Sequence, residues 1–170
     1  MVKYLFIFEY LKKEYYYIKI VNKNIIIILI MTEINELLNA LENDSNSSIM
    51  KLTHVKIKTH KNNILQQLQL PKEKLKEYHK KLKEFRYCSD MNDLQYGYYI
   101  RWIPIKDPEN LKLTNGAVIA DIKIQNNKIQ ILCKNFKNMF FQIKFDECVV
   151  FQKISAQEHV ILSVLDYLEK

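Results

Sequence analysis

The chain has 170 residues, 48% hydrophobic and 12% aromatic, with a net charge of +7 and only two glycines. That length supports one good core with a helical lobe beside it rather than two large domains, and the composition excludes general disorder. Gly97 and Gly116 lie too far apart for a Gly-rich phosphate loop, while Cys88, Cys133 and Cys148 form neither an even disulfide framework nor a zinc knuckle.

Residues 1–30 read as an N-terminal extension. Their apolar run, Ile25 to Ile30, is interrupted too soon for a transmembrane helix and lacks a small-residue cleavage site. Met31 stands directly before a helical pattern, so translation from Met31 competes with translation from Met1, in which case the extension is a short added strand or pairing element. The helix is expected from Glu33 to Leu41 or Glu42, with Thr32 as its cap and Ile34, Leu37, Leu38 and Leu41 along one side. Asn43 to Ser48 is a linker. Leu52, Val55 and Ile57 permit an extended element before Thr59, and Asn62 to Leu70 is helical or extended. Pro71 opens a helix ending near Phe85, with Leu75, Tyr78, Leu82 and Phe85 as its apolar stripe and lysines elsewhere.

Period-two patterns then recur over Tyr96 to Ile105, Ala117 to Ile124, Ile129 to Lys134, Met139 to Phe145 and Cys148 to Lys153. Asn126-Asn127 marks a tight hairpin, because Asn tolerates positive φ. In the first run Tyr98, Ile100 and Trp102 share one face, and Tyr99, Arg101 and Ile103 the other. Ser155 and Glu158 form a capping box for a last helix, whose face of Val160, Ile161, Val164, Leu165 and Leu168 is expected to cover the sheet. The fold class is α+β: an antiparallel sheet of about five strands, with a small barrel as its closed alternative, packed by helices that include a C-terminal one. The organisation is an extension over 1–30, a basic helical lobe over 31–89 and a sheet with its helix over 90–170, the last two forming one body.

Charge is unevenly distributed. Residues 51–89 hold 11 Lys or Arg against three Asp or Glu, whereas residues 90–170 hold ten of each. A Lys-rich helix beside an aromatic sheet points to nucleic acid, with Lys56, Lys58, Lys80, Lys81 and Lys83 neutralising phosphate, Arg86 and Arg101 making directional contacts, and Tyr99 stacking on a base. The favoured reading is nonetheless a noncatalytic protein-interaction or structural protein of a larger assembly, with another protein or a second copy as partner, because both faces of the sheet carry apolar groups. DNA or RNA is the alternative partner. A metal-dependent nuclease is a further alternative, resting on Asp107, Asp121 and Lys123; Asp-Pro turn chemistry and a local charge pair explain the same residues. No catalytic residue, metal ligand or cofactor is assigned. The unpaired cysteines favour a reducing intracellular compartment, cytoplasm or nucleus, and the Lys, Asn, Ile and Tyr bias fits an A/T-rich coding sequence, with a virion as location if that genome is viral.

Overall fold

A six-stranded antiparallel sheet organises the chain beyond residue 42 in a computed structural model that describes Lys23, Ile25, Ile26, Thr32 and residues 35–169. The strands are β1 (Phe85–Cys88), β2 (Tyr99–Pro104), β3 (Ala117–Gln125), β4 (Lys128–Lys134), β5 (Phe140–Lys144) and β6 (Cys148–Lys153), laid side by side in the order β1-β6-β2-β3-β4-β5. Three helices accompany them: α1 (His54–Gln67), α2 (Lys72–Lys81) and α3 (Ala156–Leu168). The chain divides into two compact units, Met1–Glu42 and Asn43–Lys170. In the first, residues 35–42 are helical, with Ala40 buried and Leu38 and Leu41 exposed. Thr32 is itself helical, so it does not serve as the non-helical cap expected of it. The expectations for residues 1–30, and for a start at Met31, fall almost wholly outside the described residues. Among the described residues, no helix is long and apolar enough to cross a membrane.

Local chemistry accounts for the sheet's turns. Asn126 and Asn127 both have positive φ, 53° and 57°, the conformation a two-residue hairpin needs to match strand twist between β3 and β4. At the entrance to β3, Gly116 has φ of +98°, and a Cβ there would fall 2.5 Å from the Ile100 carbonyl oxygen. Only glycine fits that approach. A bulge between Ile119 and Asp121 bends β3. The resulting curl is large. Trp102 of β2 and Phe141 of β5 have ring centroids 5.8 Å apart, although a flat sheet would separate strands three places apart by about 14 Å.

The concave face gathers Cys88, Leu94, Ile100, Trp102, Ala117, Ile119, Ile131, Cys133 and Val150 into one core. On the opposite face, α1 and α2 seal Phe85, Ile103, Val149 and Phe151 with Leu65, Tyr78 and Leu82. Closure to a barrel does not occur. The turn Phe145–Glu147 carries the chain from β5 to β6, yet β5 ladders only to β4, and β6 only to β1 and β2.

Two sequence expectations are corrected. The extended element before Thr59 is instead the start of α1: Thr53 is extended and its side chain accepts a hydrogen bond from the Lys56 amide at 3.3 Å. The buried stripe of that helix is Ile57, Lys61 and Leu65, and a lysine in its centre hides the helical period. The second correction concerns α2, which ends at Lys81; Leu82 caps it, and Phe85 leaves the helical stripe to begin β1. Strand β1 pairs with β6 from Phe85 opposite Lys153 to Cys88 opposite Val150, so the sheet extends across the boundary drawn after residue 89. As expected, α3 keeps its Ser155 and Glu158 capping box; it meets the sheet through Glu158 against Arg86 of β1 and packs also on α1 and the 3-10 turn Asp44–Ile49. Asn43 and Asn46 donate to Gln157 Oε1 at 3.0 and 3.4 Å in that contact.

The cysteines are free, and burial pushes the Cys88 and Cys133 thiols up to about 12 and Cys148 to about 11. They remain protonated at neutral pH, which suits small core side chains and not nucleophiles.

Candidate functional site

The eight residues singled out from sequence do not form one surface. Arg86 belongs to the interior: it is 1% exposed, its Nε donates to Glu158 Oε1 at 3.2 Å, and its Nη2 donates to Ser48 Oγ and the Asp93 carbonyl at 3.1 and 2.8 Å. A guanidinium so enclosed cannot reach a phosphate without unfolding its surroundings. Arg101 is half-buried with its guanidinium 5.5 Å above the Phe85 ring, and its Nη1 donates to the Lys81 carbonyl at 3.4 Å. Tyr99 packs against the same ring, tilted by 59° with centroids 6.3 Å apart, and its hydroxyl donates to the Asn115 carbonyl. Both side chains therefore brace the junction of α2 and β2. Trp102, the largest aromatic on the sheet, is buried.

The lysines separate further. Lys56 is tied to Glu169 at 2.6 Å and Lys81 to Glu77 at 2.5 Å, while Lys80 is exposed on the last turn of α2. Lys58 and Lys83 remain together on the wall of a cleft of about 520 Å³ between α1, the α2–β1 turn and α3. Lys61 forms part of its floor. The Lys61 ammonium donates to the carbonyls of Leu82, Phe85 and Lys83 at 2.6, 2.8 and 3.3 Å, so it occupies the negative end of α2 and caps it. Burial pushes Lys61 down from its ordinary value, against the raising pull of Glu84. His79 is held below the ordinary histidine range by burial first, then by the charges of Lys61 and Lys58. Across the cleft, His54 Nδ1 lies 2.6 Å from Asp166 and His159 Nε2 lies 3.3 Å from Glu84, with the two imidazoles stacked at 5.9 Å.

A second surface, which the sequence reading missed, lies at the far end of the sheet. The turn from β4 to β5 is shaped by Asn135, whose Oδ1 accepts from the amides of Lys137 and Met139 at 2.9 and 3.0 Å, and by Asn138 at φ of 61°. This turn presents Phe136, Met139 and Phe140, which are 85%, 59% and 59% exposed. Lys134 and Lys137 sit over the Phe140 and Phe136 rings at 5.7 and 5.8 Å. Strand β5 forms the rim of the sheet there, alternating exposed Phe140, Gln142 and Lys144 with half-buried Phe141 and Ile143. The signal was present as an Asn-bracketed aromatic turn. An edge strand could not be distinguished from an interior one by alternation alone.

The residues of the nuclease alternative serve local structure. Asp107 Oδ1 accepts from the Glu109 amide at 3.2 Å, capping a short 3-10 turn, and Asp121 pairs with Lys123 at 2.9 Å, a contact that holds its carboxyl below the usual range. Among the described residues, no group of three His, Cys, Asp or Glu side chains is placed to hold a metal ion. Comparisons with protein-family models, with curated proteins and with solved structures return no match.

Proposed function

We propose that the protein is a noncatalytic assembly component that associates with a second copy of itself through the rim strand β5. The observation that carries this reading is the exposure of three large apolar side chains, Phe136, Met139 and Phe140, beside a strand laddered on one side. A sheet edge with exposed apolar groups is a template for pairing with another strand.

The register of such a pair is self-complementary. Antiparallel pairing about Gln142 sets Phe140 opposite Lys144 of the second copy on the outer face, and Phe141 opposite Ile143 on the inner face. The first is an aromatic–cation pair and the second an aromatic–branched pair, each contributing roughly 0.2–1 kcal/mol relative to alanines. Two-fold symmetry repeats both contacts, as an isologous interface requires. The exposed Phe136 and Met139 extend the contact beyond five residues of strand.

Analytical ultracentrifugation of the full chain tests the reading. A monomer–dimer equilibrium is expected, and Phe140→Lys, which sets like charges opposite each other at both symmetric Phe140–Lys144 positions, should weaken it about tenfold or more. A protein that stays monomeric to millimolar concentration, or a dimer indifferent to Phe140→Lys, overturns the proposal.

A further inference from the structure

We infer that the cleft between α1, the α2–β1 turn and α3 binds the phosphate group of a nucleotide-sized ligand. The site is distinct from the β5 rim and does not depend on dimer formation.

Lys56, Lys81, Lys123 and Lys144 each have a carboxylate within 3.0 Å. Lys58 and Lys83 are in no ion pair among the described residues, yet they line the same cleft, with the Lys61 ammonium behind them in its floor. Two free ammonium groups therefore line a cleft whose one acidic side chain, Glu84, is engaged by His159, and the buried charge of Lys61, held by three carbonyls, adds to their potential. A recess with low-dielectric walls concentrates such a potential and attracts an anion.

Shape narrows the ligand class. At about 520 Å³ the cleft falls in the range of small-ligand sites, and Ile57 and Ile154 add apolar surface to its lining beside the ammonium groups. A ligand with a phosphate at one end and a flat, weakly polar body at the other matches both sides. A nucleoside monophosphate is the simplest such molecule. The half-buried His79 ring stands beside Lys58 and Lys61, placed to donate to a phosphate oxygen once the anion offsets the two lysine charges. Nucleic-acid backbone offers the same phosphate chemistry, and the experiment separates the two sources.

The full chain is titrated with inorganic phosphate, with a nucleoside monophosphate and with a single-stranded oligonucleotide, following amide shifts by NMR. Saturable shifts at Lys58, His79 and Lys83 are expected with the mononucleotide, and phosphate should bind more weakly at the same residues. The exposed pair Lys58→Ala/Lys83→Ala should reduce affinity about tenfold or more, whereas Lys72→Ala/Lys74→Ala, which removes equal charge from the far end of α2, should change it by less than about twofold. Saturation by the oligonucleotide alone, with the same residues moving and the same loss in the variant, assigns the phosphate to nucleic-acid backbone. No saturation by any probe to millimolar concentration, or saturation indifferent to Lys58 and Lys83, overturns the inference.

Discussion

The two halves of the sheet start from similar strands and end in different surroundings. Strands β1, β6 and β2 are covered on both faces, by α1 and α2 on one side and by Leu94 with the Arg86–Glu158 pair on the other. Strands β3, β4 and β5 bury Ile119, Ile131 and Cys133 on the concave side and leave Val118, Lys123, Phe140, Gln142 and Lys144 outside. Double coverage allows the first half to hold charge in its interior, because Glu158, Ser48 and the Asp93 carbonyl supply acceptors to the Nε and Nη2 of Arg86. Single coverage leaves the second half able to meet another molecule. Scaffold and surface are thus separate regions of one sheet, and substitutions in the two should have effects of different kind.

The largest effect is expected at Arg86. Its replacement by Ala leaves Glu158, 0% exposed, without its guanidinium partner, and should lower unfolding free energy by about 3–5 kcal/mol in chemical denaturation. Arg86→Met/Glu158→Leu should recover much of that loss, since a matched apolar pair leaves no buried charge. A single variant within 1 kcal/mol of wild type, on the scale of about 3–5 expected, would show the covered half to be more open than its geometry indicates.

Next in size is Gly116→Ala at the junction of the two halves. The added Cβ meets the Ile100 carbonyl oxygen at 2.5 Å and the Tyr99 hydroxyl at 2.7 Å on a backbone with φ of +98°. A loss of about 1–3 kcal/mol is expected, read as a lowered denaturation midpoint with an unchanged slope.

On the bare half, Phe140→Lys should change monomer stability by no more than about 0.5 kcal/mol, because the side chain is 59% exposed, while weakening self-association by setting like charges opposite each other. Comparable losses of folding and association would erase the distinction between scaffold and surface.

The smallest effect is spectroscopic. His79 should titrate below the ordinary histidine range in NMR, and Lys58→Ala should move its pKa upward, because one of the charges opposing protonation is gone while burial, the larger cause, remains. For a histidine depressed in the folded state, the unfolded chain takes up the proton first as pH falls, so this group costs nothing well above its unfolded value, costs progressively more as pH falls to its folded value, and keeps that full cost below it. Lys58→Ala should narrow that window. An unmoved or lowered His79 pKa would contradict the placement of Lys58 at the cleft.

What the sequence determined by itself is what short-range chemistry decides. The five runs from Tyr96 to Lys153 are strands because alternation and turn residues act within a few positions: Asn126-Asn127 closes its hairpin, and Ser155 with Glu158 opens the last helix. The faces of β2 follow from the same period, with Ile100 and Trp102 in one core and Ile103 in the other. What only the tertiary structure decided is the fate of the charges and of the sheet's margins. Lys61 reads as a break in an apolar stripe until the carbonyls of Leu82, Lys83 and Phe85 are brought to it from some 21 to 24 residues away. Arg86 looks like one more surface cation in a basic segment, yet its partner Glu158 lies 72 residues on. Phe140 alternates as an interior strand residue would, and only the strand order makes it a rim. A backbone conformation is biased by its neighbours in sequence. The burial free energy of a charge depends on which groups surround it after folding, and those groups come from distant parts of the chain.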